Sequence, residues 1–461
     1  MDNILESNFE ADDDFEALMT SSLDGQRATL ANELPPELLL HIFEMAQNMF
    51  FPLEQHLSWR FPFVLGKVSR YWRQVAYGTP TLWSNVDTLL CRDLDGLQVY
   101  LGRSKDSPID LNITFTPKLS KRGVSTLISI LQPHYRRCRS IKVEAGFSND
   151  SEVTTKISSI FGSMCQGHYP MLQHICVEGL HRCLNLQPFA IVADAVNLTS
   201  VRLRGLGLDY CRPPLTSVTQ LHLAIYHYPI YYIDFFEMLR SCRSLVTLCV
   251  YDDLFFEWPT DFYETCDMPF LRYLRIFGDI PEVSELLLSL SAPDLEELTI
   301  APIAQNYLDY FREETNNAPR FPALKTLTLS PDKDSKLTTV ADADACFPGI
   351  KLLILPSFNK ISSFVGSLKT TDSDRPFWPE LDGLAVRDID DQGVLYEFVQ
   401  DRQRLGVPLR SLYLDPLSMS RMTRMDWLKD QLSVVEADPW KIQRQGTFYC
   451  NEEDRFLGAE K

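Results

Sequence analysis

The chain has 461 residues, 45% of them hydrophobic, enough to bury a large core in two to four ordinary domains or in one elongated repeat array. Its 62 acidic residues against 44 basic ones leave a net charge of -18, a field that repels phosphate backbones and anionic membranes, so neither nucleic acid nor a membrane is expected as a partner. The 11 cysteines are odd in number, scattered and without a Cys-x-x-Cys pair, which argues against a disulfide framework or a zinc ribbon and reads as reduced thiols.

The first 26 residues are acidic (Asp2, Glu6, Glu10, Asp12, Asp13, Asp14, Glu16, Asp24) and lack the basic start and apolar run of a secretory signal. A segment with clustered charge and few large apolar residues cannot offset its ordering entropy, so residues 1–29 are expected to be a disordered tail. No stretch of the chain approaches the ~20 apolar residues that cross a bilayer. The reading is therefore a soluble protein of the cytoplasm, the nucleus or both.

From Leu34 the texture changes. Leu34-Pro35-Pro36-Glu37-Leu38-Leu39-Leu40-His41-Ile42-Phe43-Glu44-Met45-Ala46 puts prolines in a first helical turn, where a missing N–H costs nothing, ahead of a helical run. Leu34, Leu38 and Ile42 form one apolar stripe, and Leu39, Phe43 and Ala46 a second beside it. A Pro-punctuated segment from Phe51 to Pro62 precedes a second helical stretch with Phe63, Val64, Leu65, Val68, Tyr71, Trp72, Val75 and Ala76, stopped by Gly78-Thr79-Pro80.

Three phrases in this region, Leu34-Pro35-x-Glu37-Leu38-Leu39-x-x-Ile42-Phe43, Val68-Ser69-Arg70-x-Trp72-Arg73-x-Val75-Ala76 and Thr79-Pro80-x-Leu82-Trp83-Ser84, together resemble the F-box, especially its fungal form. The first loop is several residues longer than that family's usual connection. The resemblance implies a three-helix module over residues 30–87 that binds a Skp-type adaptor and, through it, a cullin scaffold with its RING subunit. Leu34, Pro35, Leu38, Ile42, Phe43, Val68, Trp72 and Trp83 would be the adaptor-binding residues. Physically, a unit this small has too little interior to hide all eight, so some must face a partner.

Beyond it, a phrase of one apolar residue, two variable, one apolar, one variable and one apolar recurs eleven times. It begins at Cys138, Leu172, Leu198, Val218, Leu245, Leu271, Leu295, Leu324, Ile350, Leu381 and Leu409, in steps of 20 to 34 residues centred near 27. That spacing is the leucine-rich-repeat one, in which each unit adds a short strand to a curved parallel sheet and returns by a helix or irregular crossover. Helical runs fall between phrases at Thr126–Leu131, Tyr231–Leu239, Val283–Leu290 and Val394–Leu405, and prolines such as Pro170, Pro269 and Pro322 stand just before the strands, where no ladder donor is lost. The Asn or Cys usual three positions after the last apolar residue is replaced by Leu180, Leu206, Tyr226, Asp253 and Asp279, so no continuous Asn ladder is expected. The predicted fold is α/β: a short three-helix F-box, an irregular leucine-rich-repeat solenoid over 88–436, and a C-terminal tail over 437–461 of no assigned role.

In such strands the last two apolar positions point into the core and their neighbours face the concave side. This nominates Arg202, Arg204, His222, Tyr251, Tyr273, Arg275 and Phe277, a basic and aromatic set within an acidic protein, as substrate-binding residues for an acidic or phosphorylated segment.

No catalytic pattern competes. His174-x-Cys176 and His181-x-Cys183 match no standard zinc spacing, Gly205-Leu206-Gly207 lacks the third glycine of a dinucleotide fingerprint, and no P-loop, nucleophile elbow or His-Glu-x-x-His helix occurs. Neither enzymatic activity nor a cofactor or metal is expected. Two readings stay open: a substrate receptor of an SCF-type ubiquitin ligase for an unknown protein target, and a non-catalytic repeat scaffold capped by a degenerate F-box. They differ in whether the apolar surface of Leu34, Leu38, Ile42 and Trp72 is exposed in isolation.

Overall fold

The computed structural model describes residues 34–50, 61–88, 94–115, 120–145, 151–178, 190–205, 211–224, 230–251, 255, 258, 265–278, 283–303, 307–316, 318–331, 337–356, 361–368, 375–389 and 391–437. The expected N-terminal tail, residues 1–29, lies outside these, as does all of the expected C-terminal tail, 437–461, except Ala437. The chain divides into two compact units, the first closing at Ile113 and the second running from Thr114.

The first unit begins with helix α1, Pro36–Phe50, whose Pro36 needs no donor in the first turn. Leu39, Phe43 and Gln47, four residues apart, form its buried face, and the Gln47 amide donates to the Leu82 carbonyl at 3.2 Å. The second helical stretch of the sequence is two helices, α2 (Phe61–Val68) and α3 (Arg70–Gly78). Ser69 between them is extended, and its hydroxyl caps α3 by accepting from the Trp72 N–H at 3.1 Å. A 3-10 turn, Pro80–Trp83, follows and sends Trp83 inward, where its indole N–H donates to the Ala76 carbonyl at 3.0 Å. The unit continues past the expected boundary at residue 87: strand β1 (Asn85–Asp87), helix α4 (Leu94–Arg103) and strand β2 (Ile109–Phe115) follow, with β1 and β2 parallel. Tyr100 of α4 sits 4.9 Å from the Trp83 ring, and Phe63 of α2 sits 5.1 Å from it. One aromatic core therefore joins the helices to the first strand crossover.

The second unit contributes strands β3 (Cys138–Ala145), β4 (His174–Glu178), β5 (Ser200–Arg204), β6 (Gln220–Ala224), β7 (Thr247–Tyr251) and β8 (Tyr273–Phe277). It continues with β9 (Glu297–Ile303), β10 (Thr326–Pro331), β11 (Leu352–Leu355), β12 (Gly383–Val386), β13 (Ser411–Leu414) and β14 (Ser433–Glu436). Each pairs in parallel with the next in chain order, an arrangement that requires a crossover connection between consecutive strands. Every one of the eleven recurring phrases forms a strand. Their middle apolar residues stand in one unbroken register, Ile141, Ile175, Val201, Leu221, Leu248, Leu274, Leu298, Leu327, Leu353, Leu384 and Leu412, all buried.

Helices α5 (Lys121–Leu131), α6 (Ser151–Cys165), α7 (Tyr232–Ser241), α8 (Val283–Ser289), α9 (Asp309–Thr315), α10 (Leu337–Cys346), α11 (Ile361–Ser367) and α12 (Gln392–Arg404) form the crossovers, with α13 (Pro416–Arg421) and α14 (Met425–Gln431) before the last strand. The four helical runs expected from sequence fall on α5, α7, α8 and α12. Among the described residues no helix is long and apolar enough to cross a membrane.

Candidate functional site

Two places carry the residues that sequence nominated. The first is the outer face of α1. Leu38, Ile42 and Met45, at i, i+4 and i+7, point away from the unit's core and stay 55%, 43% and 49% exposed, and Val68 at the end of α2 is 51% exposed. Pro35 is also exposed, while Leu34 and Trp72 are half-buried. The Leu34 carbonyl is anchored by the Tyr71 hydroxyl at 2.7 Å. Trp72 leans on Phe43 with ring centroids 4.9 Å apart, and its indole N–H is buried with no acceptor among the described residues. Phe43 and Trp83, nominated as contacts, are interior: both are fully buried and build the unit itself. The reason is geometric, since α1 is apolar on two stripes and the Leu39–Phe43 stripe is the one that packs inward. Met45 was missed by sequence reasoning, although its spacing from Leu38 and Ile42 carried the signal.

The second place is the strand face of the second unit opposite the leucine rows. The middle positions of successive strands stand side by side in register: Lys142, Cys176, Arg202, His222, Cys249, Arg275, Thr299 and Thr328. Glu178 of β4 holds Lys142 at 3.2 Å and Arg202 at 3.3 Å. The next row brings Tyr251 and Phe277 into a parallel stack 5.1 Å apart at 17°.

This face was expected to be open. It is not: Arg202, His222, Tyr251, Arg275 and Phe277 are all buried, and only Arg204 and Tyr273 are partly exposed. Strand alternation determines the side on which a side chain leaves the sheet but not what lies over that side, and parallel sheets are commonly covered on both faces. His222 is 1% exposed and has no hydrogen-bond partner at either ring nitrogen among the described residues. Burial, with the neighbouring Arg202 and Arg275 guanidinium groups adding to it, drives its pKa down to about 3, so the ring is neutral at physiological pH.

Burial alone would raise the carboxyl pKa of Glu178, but the Lys142 and Arg202 cations beside it prevail and hold it below the usual glutamate range. A carboxylate depressed in the folded state stabilises the fold fully above its unfolded pKa of ~4.3, and that contribution is lost as the pH falls through the folded value. Glu178→Gln is therefore expected to flatten the acid side of the stability curve below about pH 4.3, as read from urea midpoints across pH. An unchanged acid slope would show that the ion pairs do not persist in solution.

Among the described residues no group of three His, Cys, Asp or Glu side chains converges as a metal site would require. His174 and Cys176 share a strand, while His181 and Cys183 lie outside the described residues.

No family model matches the chain, and no curated protein matches it. Two similar solved structures are a protein from Bacteroides fragilis and the leucine-rich repeat-containing protein LegL7 from Legionella pneumophila. The first is 12% identical, covers 73% of this chain and 77% of its own, and has a TM-score of 0.29. The second is 11% identical, covers 76% and 96%, and has a TM-score of 0.35. The fold reading rests on the strand ladder itself.

Proposed function

We propose that this chain is the substrate-recognition subunit of an SCF-type ubiquitin ligase. The α1 face docks a Skp-type adaptor, which connects to cullin and RING subunits, and the repeat sheet presents a protein target. The observation that carries the proposal is the exposed Leu38–Ile42–Met45 stripe, which lies within the very phrase that resembles the F-box. In this reading the chain performs no chemistry. It raises the rate of ubiquitin transfer by holding a target lysine near the charged conjugating enzyme, a proximity effect, in the cytoplasm or nucleus.

The four exposed apolar side chains have about half their surface still to bury, so at ~1.5–3 kcal/mol for a full side chain they supply on the order of 3–6 kcal/mol. Association costs ~4–15 kcal/mol, so Pro35, Leu34 and Trp72 must contribute as well. The test is capture of a Skp-type adaptor and cullin by the wild-type chain and by a Leu38→Glu, Ile42→Glu variant. Capture by the wild type, reduced at least ~100-fold in the variant with its unfolding midpoint unchanged, is the expected result. A folded wild-type chain that captures no adaptor would overturn it. That outcome would favour the repeat scaffold with a degenerate cap, a reading to which the inward Phe43 and Trp83 already lend support.

A further inference from the structure

We propose that the strand face centred on His222, between Arg202 of β5 and Arg275 of β8, is a subsite for one small oxyanion, carboxylate or phosphate, which accepts from the imidazole N–H.

Three observations converge on it. His222 is a polar side chain, 1% exposed, with neither ring nitrogen paired among the described residues. A neutral imidazole offers one donor and one acceptor, and buried groups of this kind are almost always satisfied. Its strand position explains why nothing on the sheet serves it: Arg202 and Cys249 flank it in register, and the near-parallel Tyr251 ring lies 6.5 Å away at 19°.

The second observation is charge. From Lys142 to Thr328 the middle row holds three cations and no acid, in a chain whose net charge is -18. Burial first, and then both Arg202 and Arg275, oppose a positive charge on the His222 ring, so the field there favours an anion and disfavours a metal ion or an ammonium group. Two carboxylates lie along the same face: Glu178 is engaged by Lys142 and Arg202, and Glu297 of β9 feels the Arg275 cation, so neither is left to serve the His222 ring.

The third is enclosure. The ring is buried, and the stacked Tyr251 and Phe277 stand in the adjacent row, which leaves an extended polymer no approach to it. A free ion and the phosphorylated or acidic side chain of a target offer the same chemistry. Only the second source rests on the receptor reading above.

The experiment titrates inorganic phosphate, acetate and phosphoserine into the full chain at constant ionic strength, with chloride as the balancing ion, followed by calorimetry and melting temperature. The wild type is expected to bind one oxyanion per chain, with a saturable rise in melting temperature. His222→Leu, which replaces a buried ring by an apolar group of similar size, is expected to melt higher than the wild type without ligand and to bind phosphate at least tenfold more weakly. Phosphoserine displacing phosphate assigns the site to a side chain, and phosphate bound without such competition assigns it to a free ion. A wild type with no saturable response beyond chloride, or a His222→Leu chain that responds equally, overturns the proposal. No adaptor is present in the titration, so its failure leaves adaptor capture standing, and failed capture leaves this result standing.

Discussion

Replacing Arg402 by methionine is expected to destabilise the second unit by about 3–5 kcal/mol, because four backbone carbonyls lose their donor and each costs ~1 kcal/mol or more when buried and unpaired. Arg402 sits in the last turn of α12, 2% exposed. Its Nε donates to the Val407 carbonyl at 3.1 Å, one terminal nitrogen to Phe377 at 3.0 Å, and the other to Trp378 and Leu381 at 3.1 and 3.2 Å. Those carbonyls belong to the turn that ends α12 and to the segment that feeds β12, so a single planar fork ties one crossover to the strand before it. Burial lowers the guanidinium pKa to about 10, still high enough to keep the charge at neutral pH. Lysine has the charge but not the fork, and is expected to recover less than half of the loss. The measurement is urea unfolding of wild type, Arg402→Met and Arg402→Lys, with hydrogen exchange to locate the weakened repeats. Loss confined to repeats near β12 and β13 is the pattern a solenoid gives, since each repeat leans only on its neighbours. A midpoint within 0.5 kcal/mol of wild type for Arg402→Met would show that water satisfies those carbonyls.

Arg402 was invisible to sequence reasoning for a reason that applies generally. The leucine rows are legible because their period repeats eleven times and the same backbone geometry answers each time. A single arginine reaching back to four carbonyls has no period, and nothing in Asp401-Arg402-Gln403-Arg404 distinguishes the buried member from its half-buried and exposed neighbours. Strand β2 lay between these cases: Ile109, Leu111 and Ile113 alternate as a half-buried strand does, but the segment lacks the recurring phrase. The break at Ser69 was hidden too, since no glycine or proline marks it and the cap is formed by a hydroxyl whose role depends on local backbone. The strand face misled in the opposite way. Alternation placed Arg202, His222 and Arg275 on the correct side, and only the three-dimensional packing closes that side off.

The same ambiguity governs α1, and it can be broken by experiment. Two apolar stripes run along this helix, and the sequence did not decide which faces inward. Trp83→Ala is expected to destabilise the first unit by about 3–5 kcal/mol, the range for truncating a fully buried large aromatic ring. The indole fills a space between Phe63, Tyr77 and Tyr100 at 5.1, 5.5 and 4.9 Å, and the Arg103 guanidinium caps its ring at 4.8 Å. Truncation also strips the Ala76 carbonyl of its donor. Leu38→Glu, by contrast, puts a charge where the side chain is already 55% exposed and is expected to shift stability by no more than ~0.5 kcal/mol. The two variants therefore separate folding from docking: one loosens the unit, as read by hydrogen exchange over α2, α3 and α4, and the other leaves exchange unchanged while removing the apolar stripe. Trp83→Phe, which keeps most of the ring volume but not the N–H, should fall between them. If Trp83→Ala instead left exchange in the first unit at wild-type levels and abolished adaptor capture, the indole would be a contact residue as the sequence pattern proposed, and the packing of α1, α4 and the Pro80–Trp83 turn would need revision.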